Sequence, residues 1–368
     1  MKSIFIGFTI AIIAIVVALL LPFNSERHVT DIRDNLTGNE IFISDKELQI
    51  SAYYNNEMEL YNPVNIHIHE DYIIIRDIAG QHPLLLLDRE LNFKSYLGEW
   101  GAGPGEIRNP YRIAGFDGNN ILIHDWDQKR ISVFSLETKT FLQTLDVTEK
   151  LSYAHGAYIC GNMLITPTMF SDTFAYGYRL SNNDLSERNS TVIEFGSQDD
   201  LPELKNARNN YLLKDGWVAI YENKYIYFIF RSTSLMLAFN CYNGELLFKT
   251  MEPSYIELPA YNREGFTAAQ PPINWFPQAN IGIDVDDKYV YVIYSGTKLT
   301  DQESLTRERD HELNQGRIIH VYDNRTGAYK GSLKSPVLIR DLAVNNNSIY
   351  AISQYPSISI IKLEKPKL

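Results

Sequence analysis

The chain has 368 residues and a formal net charge of −11 at pH 7. It is 45% hydrophobic, which permits a substantial core, and its basic residues form no run that would give the positive footprint of a nucleic-acid-binding protein. We therefore expect no nucleic-acid partner, and the 24 tyrosines favour strands over helices.

An uncharged apolar segment, residues 4–21, lies at the amino terminus. As a helix it would span about 27 Å, close to the thickness of the hydrocarbon core of a bilayer. Lys2 precedes it and Glu26, Arg27 and Asp31 follow it, which predicts a cytoplasmic amino terminus and an exported remainder. A cleaved signal peptide is the alternative, although no A-x-A-like site closes the segment and no cysteine follows it for lipid attachment.

These boundaries predict three segments. Residues 1–22 form a signal-anchor transmembrane helix, residues 23–42 form a polar tether, and residues 43–368 form one folded domain. We expect a single-pass protein of the cell membrane, with the domain in the periplasm or another extracytoplasmic space.

One pattern recurs six times from residue 43 onward: an apolar strand, a tight turn, a second strand with more apolar residues, and then a third and a fourth strand. Asn, Asp and Gly tolerate a positive φ and therefore suit such turns. The six turns are Glu70-Asp71, Asp117-Gly118-Asn119, Gly161-Asn162, Glu222-Asn223-Lys224, Asp286-Asp287-Lys288 and Asn345-Asn346-Asn347. The strands after them are predicted over residues 72–76, 121–124, 163–166, 225–230, 289–294 and 348–353.

Five of the repeats have four strands, and the sixth has three, ending with residues 358–363. A strand near residues 43–53 has no partner of its own, so we expect it to supply the missing outer strand and close a ring. The predicted fold is all-β: a six-bladed β-propeller that follows the N-terminal transmembrane helix. A pair of β-sandwiches and an open β-solenoid are the alternatives.

A glycine-rich stretch, residues 97–110, links the first two repeats. Glycine adopts a positive φ at little cost and proline fixes its own φ, so we interpret the stretch as a shaped crossing. A dinucleotide-binding loop would need a helix N-terminus after the glycines, whereas a strand follows here. The residues predicted to form the crossing are Gly101, Gly103, Pro104, Gly105 and Pro110.

Residues 77–118 resemble an NHL-type repeat, with an Asp, a third strand and the motif Gly-x-x-Gly-x-Gly-Pro-Gly-Glu-x-x-x-Pro. Residues 125–134, Asp-Trp-Asp-Gln-Lys-Arg-Ile-Ser-Val-Phe, and residues 316–323 carry the related Arg-Ile pattern. The exported part is similar to TolB-like six-bladed propellers of bacterial envelope proteins, many of them lipoproteins without an assigned activity. The chain departs from the lipoproteins because it lacks a cysteine for lipid attachment.

The long connections between strands are predicted to share one face of the propeller, where function concentrates. They are residues 97–110, 146–154, 196–215, 251–279 and 295–315. Residues 251–279 combine aromatic side chains with prolines and suit a ligand or partner, the alternative being a plug for one end of the channel. The residues predicted to bind are Trp100, Arg108, Arg263, Trp275 and Phe276.

No catalytic motif such as His-Glu-x-x-His or Gly-x-Ser-x-Gly occurs, so catalytic residues stay unassigned and we expect no cofactor. His67 and His69 alternate on one strand and, with His155, are weak candidates for a metal site. Cys160 and Cys241 are 81 residues apart and are interpreted as two semi-buried thiols in separate strands or turns.

These observations favour a binding or interaction module over an enzyme. The expected partners are the membrane, through residues 4–21, and a protein or glycan of the cell envelope. The alternatives are a hydrolase or lyase with its site at the channel mouth, and a purely structural scaffold.

Overall fold

A computed structural model describes residues 41–44, 47–54, 60–146, 156–168, 173–180, 192–196, 215–231, 233–253, 278–297, 314–354 and 357–368. The chain divides into two compact units, residues 1–36 and 37–368, and all of these ranges lie in the second. The predicted transmembrane segment and most of the tether therefore lie outside the described residues. Within the described ranges, no helix is long and apolar enough to cross a membrane.

Six antiparallel four-stranded sheets and one short parallel pair, Glu99–Trp100 with Glu106–Ile107, are present in the described part of the chain. The six sheets confirm the predicted six-bladed β-propeller and exclude the sandwich and solenoid alternatives. Blades 1 to 5 span residues 63–97, 110–146, 158–195, 216–250 and 278–339, and blade 6 spans residues 341–364 together with the strand 50–54. The strands are β1 (Ile50–Tyr54), β2 (Pro63–His69), β3 (Tyr72–Asp77), β4 (Leu84–Asp88), β5 (Phe93–Leu97), β6 (Glu99–Trp100), β7 (Glu106–Ile107), β8 (Pro110–Asp117), β9 (Asn120–Asp125), β10 (Arg130–Ser135), β11 (Phe141–Asp146), β12 (Tyr158–Cys160), β13 (Met163–Pro167), β14 (Ala175–Arg179), β15 (Val192–Phe195), β16 (Gly216–Tyr221), β17 (Tyr225–Phe230), β18 (Met236–Asn240), β19 (Leu246–Thr250), β20 (Gln278–Val285), β21 (Tyr289–Thr297), β22 (Gly316–Asp323), β23 (Tyr329–Ile339), β24 (Asp341–Val344), β25 (Ser348–Ser353) and β26 (Ser359–Glu364).

The ring closes through β1, as predicted. β1 pairs antiparallel with β26, with Tyr54 opposite Ile360, and becomes the outer strand of blade 6. The segment before β1 also follows the outer strand of blade 5, because the N–H of Ile43 donates to the carbonyl of Ser332 at 3.0 Å. The N-terminal segment therefore holds two neighbouring blades, and the contact with blade 5 was not predicted.

The core consists of six apolar layers, each between two adjacent blades. The run Ile73-Ile74-Ile75 of β3 shows why the sequence supports this arrangement: Ile73 and Ile75 pack toward blade 6, whereas Ile74 packs toward blade 2. Successive side chains of a strand point to opposite faces, so a strand that is buried on both faces is apolar at every position. The continuous apolar runs of the sequence are therefore the consequence of packing on both sides of a blade.

The interpretation of the two cysteines as thiols was wrong. Cys160, at the end of β12 in blade 3, forms a disulfide with Cys241, directly after β18 in blade 4, and both are fully buried. The sequence separation of 81 did not indicate the pairing, because the facing layers of two adjacent blades bring the Cα atoms to 6.1 Å from each other. The bond therefore joins neighbouring blades across their shared core layer.

Candidate functional site

The innermost strands of the six blades, β2, β8, β12, β16, β20 and β24, line a central channel that encloses about 270 Å³. All six run in the same direction along the axis, because each begins where the chain returns from an outer strand. We call the end at which they begin the long-loop face; it is marked by Pro63, Pro110, Gly216 and Asp341. The opposite end, where the tight turns follow the innermost strands, is the hairpin face.

The long connections leave from the long-loop face, as expected. Residues 98–109, 147–157, 196–215, 251–277 and 298–315 all join strand ends on that side of the propeller. One connection departs from the pattern, because residues 180–191 join β14 to β15 at the hairpin face. Apart from residues 98–109, most of these long connections lie outside the described ranges.

Four arginines lie at strand ends on the long-loop face: Arg76 in β3, Arg112 in β8, Arg231 directly after β17 and Arg340 directly before β24. We call them the arginine cluster. Of the four, Arg112 lines the central cavity. Burial and then the charge of Arg112 lower the pKa of Arg76 to about 9. Burial also lowers the pKa of Arg340, and the charge of Arg231 adds to that effect. The cluster is therefore a local concentration of positive charge in an acidic protein.

Asn65 connects Arg76 to Asp341 through hydrogen bonds on one side of the cluster. Its Oδ1 accepts a hydrogen bond from Arg76 Nε at 2.9 Å, and its Nδ2 donates to Asp341 Oδ2 at 2.9 Å. Asp341 also accepts the backbone N–H of Ile66 at 3.1 Å. Burial raises the pKa of Asp341 to about 6, against these hydrogen bonds. The guanidinium and the carboxylate are thus joined through a neutral amide rather than by a direct ion pair.

Arg112 extends from blade 2 across the channel mouth. Its Nη2 donates to the carbonyl of Gly216 in blade 4 at 2.9 Å, and its guanidinium lies 5.7 Å from the centre of the Tyr158 ring. Its Nε has no hydrogen-bond partner in the described part of the chain. Burial alone lowers the pKa of Arg112, but Tyr158, Tyr111 and Asp215 raise it overall, so the side chain stays charged.

The positive charge of the cluster is only partly neutralised. Arg231 forms an ion pair with Asp215, with Nη1 and Oδ2 3.3 Å apart. The other three guanidiniums donate to neutral oxygens: Arg76 to Asn65 and Pro110, Arg112 to Gly216, and Arg340 to Asn62. Among the described residues, none of these three has a carboxylate within ion-pair distance. An enclosed charge without a counter-charge is unfavourable, so the arrangement suits an anionic ligand.

His67 and Asp284 also lie in the wall of the cavity. Burial, followed by the charges of Arg76 and Arg112, lowers the pKa of His67 to about 4, so its imidazole is neutral at pH 7. Burial raises the pKa of Asp284 to about 7, although its Oδ2 accepts the N–H of Val344 at 2.7 Å. A neutral imidazole can accept a proton, and both side chains can hydrogen-bond a ligand that enters the channel.

The predicted crossing residues shape the route from β5 to β8. Gly105 has a φ of +78°, and a Cβ added there would lie 2.9 Å from the Cβ of Phe141. Gly101 also has a positive φ, of +157°, whereas Gly103 does not. The crossing ends at the channel wall, because the carbonyl of Pro110 accepts a hydrogen bond from Arg76.

Two of the five residues predicted to bind a partner lie in the described ranges. Trp100 is half-buried, and its indole N–H donates to the carbonyl of Gly80 at 2.8 Å. The Arg108 side chain is 66% exposed, and its Nε lies 3.8 Å from Asp127 Oδ2. The other three, Arg263, Trp275 and Phe276, lie outside the described residues, and the role of all five stays a prediction.

The histidines that were candidates for a metal site lie in different environments. His67 and His69 both line the channel, but His69 lies toward the hairpin face, where Nε2 is 2.7 Å from the carbonyl of Gly118 and its ring stacks on Phe116. His155 lies outside the described ranges. In the part of the chain that the structure describes, no group of three His, Cys, Asp or Glu side chains could hold a metal ion.

Sequence reasoning missed the arginine cluster. Its members come from four blades and are spread over residues 76–340, so spacing alone does not connect them. One signal was available: each lies near a strand end that the repeat assigns to the long-loop face. Projecting charged residues at those strand ends onto one ring would have brought the four arginines together.

A comparison with known protein families agrees with the six-bladed architecture. Residues 48–165 match the family DUF5128, described as a 6-bladed beta-propeller. No curated protein matches the chain. Neither comparison bears on the finer resemblance to NHL-type and TolB-like repeats, which stays a prediction.

Three solved structures are similar at low sequence identity. BamB from Moraxella catarrhalis is 14% identical, with 82% of this chain and 71% of that one covered and a TM-score of 0.39. The Cps50 (Swd1) β-propeller domain of Myceliophteria thermophila is 10% identical, with 87% and 100% covered and a TM-score of 0.44. An exported protein from Bacteroides fragilis is 12% identical, with 88% and 98% covered and a TM-score of 0.48. None of these likenesses bears on function; what the comparisons show is similarity of residues 48–165 to a six-bladed β-propeller family.

Proposed function

We propose that the chain is a membrane-anchored, extracytoplasmic binding module whose recognition surface is the long-loop face, and that its partner is a protein or glycan of the cell envelope. The observation that carries the proposal is the incompletely neutralised arginine cluster, which lies at the strand ends from which the long connections leave. A concave site with a few converging polar groups is the usual form of a binding site.

The disulfide supports an extracytoplasmic location. Disulfides persist in oxidising compartments and are rare in the cytosol. We expect Cys160 and Cys241 to resist alkylation in denatured, unreduced protein taken directly from cells, and to react after reduction. Full alkylation without reduction would contradict the location.

The anchor is supported by the sequence of residues 4–21. Replacing Ile13 and Val16 with Arg places charge at the centre of the segment, which costs roughly 2.5–3.5 kcal/mol per residue on insertion scales. We expect the double variant to be lost from the membrane fraction. Wild-type protein found in the soluble periplasmic fraction, with its amino terminus trimmed after residue 20, would show that the segment is a cleaved signal peptide.

The recognition surface is tested by capture from an envelope fraction with full-length chain extracted in mild detergent. We expect cross-links of the captured partner to reach lysines of the long loops, such as Lys214 and Lys298. Cross-links confined to hairpin-face lysines, such as Lys139 and Lys288, would contradict the assignment of the face.

Individual predicted residues are tested in the same assay. Arg108→Ala and Trp275→Ala should reduce capture at least tenfold while the melting temperature changes little, as expected for residues that contact a partner and do not hold the fold together. Arg325→Ala, an exposed arginine in a turn of the hairpin face, is the matched control. Large losses of stability in Trp275→Ala would instead favour the alternative that its loop plugs the channel.

The hydrolase or lyase alternative has one specific observation in its favour. His67 is neutral at pH 7 and lines the same cavity as Arg112, so a general base lies near a cation that could stabilise a developing negative charge. Incubating envelope glycans with the wild-type chain and with His67→Gln distinguishes the two cases. New reducing ends or unsaturated products that require His67 would make the chain an enzyme.

A further inference from the structure

We propose that the central channel binds the carboxylate of an acidic sugar, with Arg112 as its main contact. The inference rests on the proposed binding function and names the ligand class for the same site. It is carried by the geometry of the arginine cluster, the size of the cavity and the chemistry of its wall.

The charge of the ligand follows from the cluster. Four guanidiniums lie at this end of the channel, and that of Arg112 is in the cavity wall. Three carboxyl groups near them already have partners: Asp215 pairs with Arg231, Asp341 is bonded to Asn65 and to the backbone of Ile66, and Asp284 accepts the N–H of Val344. Arg112 lines the cavity, and its Nε has no hydrogen-bond partner in the described ranges. A guanidinium presents a planar fork of N–H groups that matches a carboxylate, so one carboxylate at this position would supply an acceptor for Arg112 Nε and a direct ion pair.

The size and wall of the cavity favour a sugar ring over an extended peptide. A volume of about 270 Å³ is at the lower limit for ligand pockets and suits one ring-sized group. Tyr158 and Trp217 contribute aromatic surface to the wall, onto which the C–H face of a pyranose ring can pack. Asn65, His67 and Asp284 supply amide, imidazole and carboxyl groups that can hydrogen-bond hydroxyls.

The test titrates the full-length chain with glucuronate and galacturonate, and with glucose and galactose as neutral counterparts. Calorimetry measures affinity, and the fluorescence of Trp217, which lines the cavity, gives a second readout. We expect both uronates to bind at least tenfold more tightly than the neutral sugars. Acetate, inorganic phosphate and an acidic tripeptide are titrated in parallel, and each should bind more weakly than the uronates.

Three variants connect binding to the cluster. Arg112→Gln should weaken uronate binding at least tenfold, and Arg325→Gln, on the hairpin face, should not change it. Because Arg112→Gln also removes the hydrogen bond to Gly216 and can reduce stability, Asp341→Asn supplies a test of opposite sign. It removes a negative charge beside the cluster and should strengthen binding several-fold.

Several results would overturn the proposal: equal binding of uronates and neutral sugars, tighter binding of the tripeptide or of phosphate, acetate as strong as the uronates, or unchanged affinity in both Arg112→Gln and Asp341→Asn. Failure here is distinguishable from failure of the proposed function. An envelope partner captured through the long-loop face but not displaced by uronate would leave the binding module standing and remove the acidic-sugar site. Uronate binding without capture of a partner would support the acidic-sugar site and contradict the proposed envelope partner.

Discussion

The carboxylate of Asp125, at the end of β9, accepts a 2.7 Å hydrogen bond from the backbone N–H of Arg108, in the last part of the crossing. It also accepts the N–H of Asn109 at 3.2 Å and is fully buried. Asp77 has the same relationship in blade 1, where it accepts the N–H of Tyr61 at 2.7 Å. In both blades an aspartate at the end of the second strand therefore holds the chain that enters the first strand.

We predict that Asp125→Ala lowers the free energy of unfolding by about 2–4 kcal/mol, because it leaves buried backbone donors without an acceptor and removes hydrogen bonds to a charged group. Chemical denaturation of the full-length chain measures the change. Asp127→Ala, two residues further on and with a side chain 43% exposed, is the control and should cost much less. Equal effects of the two substitutions would show that the buried carboxylate does not hold the crossing.

The crossing offers a second, matched test of its glycines. Gly105→Ala should cost about 1–3 kcal/mol, because a side chain at a φ of +78° is strained and its Cβ would lie 2.9 Å from Phe141. Gly103→Ala should cost less, because Gly103 has no positive φ and its nearest neighbour is the flexible Glu106 carboxylate, 3.1 Å away. Thermal melts of the pair compare the two positions directly, and a larger loss at Gly103 would refute this account of the crossing.

Ring closure by the N-terminal segment is tested by deleting residues 41–56. The deletion removes β1 from blade 6 and the contact with Ser332 on blade 5, so both blades gain unpaired edges. We expect aggregation, since exposed strand edges pair with other chains. A synthetic peptide of residues 41–56, added during refolding, should restore the monomeric form. A deletion variant that stays monomeric with an unchanged melting temperature would show that the segment is dispensable for closure.

The stability of the domain should depend on pH through His320, which is buried in blade 5. Burial lowers its pKa from 6.5 to about 3. Between these two values the unfolded chain binds a proton that the folded chain excludes, so stability rises as the pH increases through this window. Replacing His320 with Phe should reduce the slope by up to about 1.4 kcal/mol per pH unit between pH 4 and 6.

Denaturant titrations of wild type and His320→Phe at half-unit pH steps measure this slope. Phe also removes the contact between Nδ1 and Ser332 Oγ, 2.7 Å apart, which should shift the whole curve without changing its slope. His82→Gln, at the surface of blade 1, controls for the loss of a histidine. An unchanged slope in His320→Phe would contradict a neutral buried imidazole.

Much of the fold was predictable because its signals are local. The turns at Glu70-Asp71 and Gly161-Asn162 consist of residue types that favour β-hairpins. Continuous apolar runs such as Ile73-Ile74-Ile75 indicate strands that are buried on both faces. Counting strands per repeat also predicted that an N-terminal strand completes blade 6, although β1 begins at Ile50 rather than near residue 43. The turns and strands depend on residues close together in the chain, and the closing strand follows from counting them, so the sequence alone determined the number of blades and the strand that completes the last one.

Only the tertiary structure decided which distant residues meet. The disulfide joins residues 81 positions apart, and the arginine cluster collects one side chain from each of four blades. Asp125 and Arg108 are linked because β9 returns antiparallel to β8, which places Asp125 opposite Pro110 at the end of the crossing. For the disulfide and the arginine cluster, the ring brings different blades together, and hairpin chemistry carries no information about side chains that meet between blades. The sequence therefore determined the blades, whereas closure of the ring decided the site.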